Sequence, residues 1–206
     1  MICKYKLVIF DLDGVLVDAC EWHRIALNKS LKEVCDYEIP LSDHYSEFNG
    51  IPTREKLKKL VTMGVIDDVS IDKIYEIKQK NTILAIKNNA TIRPEKIEML
   101  TWLRSHNIHV ACFTNSIRET AMLMLEKTGI IDLFELITTN QDVENPKPDP
   151  EGYISTLKYF NIDSDDTLII EDSPKGVTAA ERSGCNVIIV KNPDEVNISL
   201  FAKREL

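Results

Sequence analysis

Leu7-Val8-Ile9-Phe10 is a run of four large apolar residues that stops at Asp11, Leu12, Asp13 and Gly14. Four such residues without alternation suit a strand covered on both faces, as in a parallel sheet. A strand of this kind constrains the rest of the chain, because parallel neighbours are reached only by long crossovers that lay helices over the sheet. The two carboxylates at its end cannot share its burial, since an unpaired buried charge is costly. They must be solvated, paired or bound to a cation. Gly14 permits a backbone conformation that other residues avoid and lets a ligand come close. An EF-hand calcium loop fails on spacing, because its glycine is sixth and Gly14 is fourth from Asp11. A plain Asp-Gly turn is the simplest alternative, and the rest of the chain decides between them.

After Asp18 the pattern turns helical and stays so to about Asn89. Leu27, Leu31 and Val34, widened by Trp22 and Cys35, give one apolar stripe at helical spacing. Pro40 and the polar group from Ser42 interrupt it. A second helix carries Leu57, Leu60 and Val61 and is stopped by Gly64. Ser70 is placed to cap a third, with Ile74, Ile77 and Leu84 on its apolar face. From Arg93 strands and helices alternate. Pro94 opens a helix, Ile108 to Phe113 reads as a strand, and a helix runs from Ile117 to a stop at Gly129. A weaker strand at Leu136 to Thr138 precedes the proline-rich stretch around Lys147. A helix to Phe160, a strand at Leu168 to Ile170, a helix from Pro174 to Gly184 and a strand at Val187 to Val190 complete the series. Alternation of this kind predicts an α/β fold with a parallel sheet and right-handed crossovers.

Ligands of such sheets bind beyond the carboxyl ends of the strands. Those ends carry Asp11 and Asp13, Thr114 and Asn115, and Glu171 and Asp172, with Lys147 in a loop after a further strand. Four polar clusters far apart in sequence therefore meet at one edge, which a chance turn does not explain. Among familiar chemistries, no glycine-rich dinucleotide or triphosphate loop is present and no Gly-x-Ser-x-Gly elbow. The histidines His23, His44, His106 and His109 show no zinc spacing. What remains is an oxygen-rich site with one lysine, suited to Mg2+ and a phosphoryl group. Asp11 is placed to attack phosphorus, Asp13 to give and take protons, and Thr114, Asn115 and Lys147 to bind phosphate oxygens. The acid role requires Asp13 to hold a proton, so its surroundings must differ from those of Asp11.

In order, Asp11-Leu12-Asp13-Gly14-Val15-Leu16, Thr114-Asn115, Lys147 before Pro148-Asp149-Pro150, and Glu171-Asp172-Ser173 resemble the four motifs of the haloacid dehalogenase superfamily. The helical stretch after the first motif resembles the cap of the subgroup that contains β-phosphoglucomutase and many small phosphatases. The resemblance implies a Rossmann-like core formed by residues 1–17 and 90–206, with a mobile helical cap inserted at 18–89. It implies magnesium dependence, Asp11 as nucleophile, and a metal site of Asp11, the Asp13 carbonyl and Asp172, with Glu171 in support. Asp13 argues for phosphoryl transfer, because the namesake dehalogenases lack an acid at that position. His23 matches a cap-entry histidine of the mutase and Arg54 its cap arginine, whereas Asn49 stands where the mutase has lysine. Losing that cation favours a phosphatase over a mutase, and leaves His23, Asn49 and Arg54 as the expected substrate contacts. The neighbouring Lys56, Lys58 and Lys59 read as the solvated face of a helix. A phosphorylatable receiver or silent scaffold is the reading of another class, and Asp13 counts against it.

Composition sets the outer bounds. The 206 residues are 44% hydrophobic and 28% charged, as in ordinary globular proteins. A net charge of −8 disfavours nucleic acid as partner, and a small phosphorylated metabolite is the expected one. Five scattered cysteines without Cys-x-x-Cys spacing point to a reducing compartment. No apolar run is long enough for a signal peptide core or a membrane span, so the expectation is a cytoplasmic protein, and nothing demands more than a monomer.

Overall fold

The computed structural model describes residues 4–48 and 50–202. Their strands are β1 (Leu7–Phe10), β2 (His109–Phe113), β3 (Leu136–Thr138), β4 (Thr167–Glu171) and β5 (Asn186–Ile189). They form one parallel sheet in the order β3-β2-β1-β4-β5, with β1 at its centre. The helices are α1 (Cys20–Cys35), α2 (Leu41–Asp43), α3 (Thr53–Thr62), α4 (Ile71–Asn89), α5 (Pro94–Ser105), α6 (Arg118–Lys127), α7 (Glu151–Phe160), α8 (Pro174–Arg182) and α9 (Ser199–Ala202). The α/β architecture read from the alternation is therefore the one observed.

Both faces of the sheet are covered, which is why β1 is apolar throughout. Val8, Phe10, Val110, Cys112, Leu168 and Ile170 pack with Met99, Leu100 and Leu103 of α5 and Met124 and Leu125 of α6. The alternate residues Leu7, Ile9, Ala111, Phe113 and Ile169 pack with Tyr153 of α7 and Ala179 and Ala180 of α8. No helix among the described residues is long and apolar enough to cross a membrane. Cys20, Cys35, Cys112 and Cys185 carry free thiols, and Cys3 lies outside the described residues.

Between β1 and α5 the described chain is helical and holds an apolar cluster of its own, including Leu27, Leu31, Phe48, Leu57, Leu60 and Ile74. Its ends are anchored elsewhere, since Val17, Ala19 and Ile86 pack into the larger core. The structure corrects three local expectations. Pro40 ends α1's stripe, but Leu41 to Phe48 then winds as α2 and a π-helical turn. Ser70 makes no side-chain cap, because it already lies within helical backbone behind the 3₁₀ turn Asp68–Ser70. Leu84 is 55% exposed, and the buried stripe of α4 is Ile71, Ile74, Lys78, Thr82 and Ile86.

Candidate active site

The register explains how the carboxylates meet. Phe10 pairs with Cys112 on one side and Ile170 on the other, so Asp11 lies level with Phe113 and Glu171. Residues level in adjacent parallel strands leave the sheet on the same face. Lys147 comes to that face from its loop. Its Nζ donates to Asp11 Oδ1 at 2.6 Å, Glu171 Oε1 at 2.7 Å and the Phe113 carbonyl at 2.7 Å. All three donors of the ammonium are thereby used. Burial pulls the lysine pKa down, but the charges of Asp11 and Glu171 outweigh it and hold it well above the ordinary value. The Phe113 and Tyr153 rings flank the ammonium at 4.7 and 5.1 Å from their centroids.

Glu171 has no free valence for a cation. Oε1 accepts from Lys147 and the Tyr153 hydroxyl, and Oε2 from the amides of Asp172 and Ser173 and the Ser173 hydroxyl. Its neighbours are different. Oxygens of Asp11, Glu171 and Asp172 lie within 4.8 Å of one another. Asp172 Oδ1 is buried and accepts no hydrogen bond among the described residues. Burial, then Glu171 and Asp13, push the Asp172 carboxyl up to about 7. Burial also drives Asp11 well above the carboxylate range, with Lys147 opposing and Glu171 and Asp172 adding to the rise. Gly14, at φ +88°, is what admits the Asp172 carboxylate, because a Cβ there would stand 2.2 Å from Oδ2. An orphaned carboxylate oxygen beside a second carboxylate is a donor set for a hard cation.

Asp13 stands apart from this cluster and is well supplied with donors. Its Oδ2 accepts from Ser116 Oγ at 2.8 Å and Thr114 Oγ1 at 3.2 Å, and Oδ1 lies 2.9 Å from His23 Nε2. The Lys78 ammonium lies 3.1 Å from His23 Nδ1. When Lys78 is protonated it donates to Nδ1, and the ring proton then sits on Nε2, directed at Asp13. Burial raises the Asp13 pKa, but His23, Ser116 and Thr114 overcome it and hold the carboxyl below its ordinary value. The surroundings of Asp11 and Asp13 do differ, as expected. The direction is the reverse of what an acid needs, so Asp13 is held here in its base form.

The sequence profile of the family described as "haloacid dehalogenase-like hydrolase" matches residues 8–190. The chain belongs to this family. Two curated relatives give the scale of the likeness within the family. A phosphorylated carbohydrates phosphatase of Thermotoga maritima is 30% identical over 184 residues, 87% of this chain and 82% of the relative. A validoxylamine A 7'-phosphate phosphatase of Streptomyces hygroscopicus is 27% identical, covering 87% and 83%. The solved β-phosphoglucomutase of Clostridium difficile superposes with a TM-score of 0.82, covering 95% of each chain at 23% identity. That last likeness is one of fold.

In this haloacid dehalogenase-like hydrolase the described site faces a cavity of about 300 Å³ between the sheet edge and the helical segment. Asn115, expected among the phosphate ligands, spends its side chain otherwise. Its Nδ2 donates to the carbonyls of Gly50 and Lys147, each at 3.0 Å, and its Oδ1 accepts from the Lys147 amide. It ties two strand-end loops to the helical segment, which leaves only its main chain for an anion. Arg54 lines the cavity but is held by Asp72 at 2.8 Å and by the Tyr75 ring. Asn49 lies outside the described residues. Reasoning from sequence missed Ser116, Tyr153, Lys56 and Lys78. The lysines left a trace, since Lys78 sits in α4's buried stripe and Lys56 beside Leu57 on α3's buried face. Lys56 is therefore no part of a solvated face, whereas Lys58 is exposed and Lys59 pairs with Glu47.

Proposed function

We propose that the chain is a magnesium-dependent phosphatase that hydrolyses a small phosphorylated metabolite through an aspartyl-phosphate on Asp11. The observation that carries this reading is the convergence of Asp11, Asp13, Lys147 and Asp172 at one sheet edge, with Asp172 Oδ1 left without a donor among the described residues. The carbohydrate-phosphate activity named for the Thermotoga relative supports the substrate class.

Asp11 and Asp172, with the Asp13 main-chain carbonyl, would hold Mg2+. The ion would supply charge neutralisation between an anionic nucleophile and an anionic phosphoryl group. An Asp11 oxygen attacks phosphorus as the ester P–O bond breaks, and the leaving oxygen takes a proton from Asp13. Water then attacks the aspartyl-phosphate, Asp13 accepts its proton, and inorganic phosphate departs with Asp11 regenerated. Lys147 spreads positive charge over the transferring oxygens while Glu171 and Tyr153 keep it in place. His23 lies on the inserted segment and the other groups of Asp13 on the core. Asp13 must take up the proton it gives to the leaving oxygen. Movement of residues 18–89 as a cap would change both the contact of Asp13 with His23 and its shielding from water, which couples cap position to its protonation.

Phosphate release from a panel of sugar, polyol and hydroxy-acid phosphates tests the reading. Release is expected in excess magnesium, is abolished by a chelator and returns on adding Mg2+. A panel without release would sink it. Interconversion of hexose 1- and 6-phosphates, stimulated by bisphosphate and with little free phosphate, would move the assignment to a mutase. A long-lived phosphoprotein formed from a small phosphodonor would favour a receiver.

A further inference from the structure

Four lysines of the described chain are at least nine-tenths buried, and three of them have partners. Lys147 binds Asp11, Glu171 and the Phe113 carbonyl, Lys96 donates to the carbonyls of Pro193 and Val196, and Lys78 contacts His23. Lys56 is 8% exposed and lines the cavity, yet its ammonium makes no hydrogen bond or ion pair among the described residues. A largely buried ammonium without a partner is costly, and it is burial that sets this cost. Of the nearby charged side chains, Asp13 favours the charged form of Lys56 and Lys175 opposes it. Nothing in the packing of α3 requires a charge there, because its neighbours Leu57 and Leu60 close the apolar cluster without it. Features that oppose stability in this way collect where function needs them.

We infer that Lys56 forms a cationic subsite in the helical wall of the cavity that selects substrates bearing a second anionic group. The group is a carboxylate or a second phosphate at the end remote from the reacting phosphoryl. This rests on the phosphatase reading and narrows its substrate class. The reacting phosphoryl already has Lys147, on the opposite wall, so a second cation is surplus to that step. Burial lowers the Lys56 pKa to about 8, and an anion seated beside it restores the fully charged form. Arg54, the cation first expected to meet substrate, is compensated by Asp72, which leaves Lys56 as an uncommitted charge of the wall among the described residues.

Matched substrate pairs test this. In 3-phosphoglycerate and glycerol 3-phosphate a carboxylate replaces a hydroxymethyl group, and fructose 1,6-bisphosphate and fructose 6-phosphate differ by a phosphate. The wild-type protein is expected to prefer the anionic member of at least one pair in kcat/KM. Which pair shows the preference tells carboxylate from phosphate. Lys56→Met should erase that preference by lowering kcat/KM for the anionic member about 10- to 100-fold, the range for a charged hydrogen bond lost from a buried site. The neutral member should change less than about twofold, and Lys56→Arg should restore most of the preference. Lys56→Met should also unfold at a higher temperature without ligand, as expected if the lysine serves binding rather than the fold. Equal treatment of both members by the wild type, or an equal loss on both in Lys56→Met, overturns the subsite while the phosphatase reading stands. If no member yields phosphate, the phosphatase reading falls, and the subsite is judged by thermal shift with the same pairs. Equal stabilisation of wild type and Lys56→Met by the anionic members then overturns it.

Discussion

Asp11→Asn is expected to lower kcat by about 10⁴-fold or more while the protein remains folded. The amide is a poor nucleophile, and the acyl-phosphate it would replace has no other acceptor at this position. Asp11 follows the last residue of β1 and its amide bonds the Ile170 carbonyl at 3.0 Å, so the substitution leaves its backbone fixed. Lys147 loses one carboxylate but keeps Glu171 and the Phe113 carbonyl. On the other side of the balance, burial and the nearby Glu171 and Asp172 raise the Asp11 pKa, so removing its charge also removes repulsion. The two effects oppose each other, and a change of under about 2 kcal/mol in urea unfolding is the expected sum. Phosphate release and equilibrium unfolding on the same preparation make the check. Turnover at the wild-type rate would remove Asp11 as nucleophile, and a variant that does not fold would make it a structural residue.

The core of this site was legible because its signals are local and its geometry is repetitive. A strand buried on both faces shows as an unbroken apolar run, and parallel packing puts its polar ending beside the endings of its neighbours. Asp11, Thr114, Lys147 and Asp172 could be assembled on that basis alone. The helical segment gave less away. Its helices pack on one another and also face the cavity, so they carry two inward surfaces, and a single stripe cannot describe them. Lys56 and Lys78 occupy the second surface, which a reading based on amphipathic helices assigns to solvent. Asn115 shows a different limit. Its residue type fits an anion, and only the folded chain reveals that Gly50 and Lys147 have already taken its amide. The sign of the Asp13 shift was likewise out of reach, because it depends on three donors from two distant parts of the chain, His23 and the 114–116 loop.

Gly176→Ala is expected to be the most disruptive single methyl in the core, although Gly176 touches no substrate. It is the third residue of α8, whose N-terminus is capped by Ser173 Oγ accepting from the Gly176 amide at 3.1 Å. That cap draws the helix against the end of β4, and a Cβ on Gly176 would stand 1.9 Å from Glu171 Oε1 and 2.0 Å from its Cδ. The far end of a flexible side chain would ordinarily swing aside, but Glu171 is fully buried and both its oxygens are engaged. Moving it strands Lys147 and the Tyr153 hydroxyl together. Breaking a buried ion pair in this way costs about 3–5 kcal/mol, which for a domain of this size lowers Tm by about 6–20 °C. Activity should fall with it, since Lys147 is then held by Asp11 alone among carboxylates. Glu171→Gln separates the two causes, because it keeps the shape and removes only the charge. It should cost less stability than Gly176→Ala, about 1–3 kcal/mol, while still loosening Lys147. If Gly176→Ala instead melts with the wild type, Glu171 has room to move, and the position of Lys147 must come from Asp11 and the Phe113 carbonyl rather than from the helix behind it.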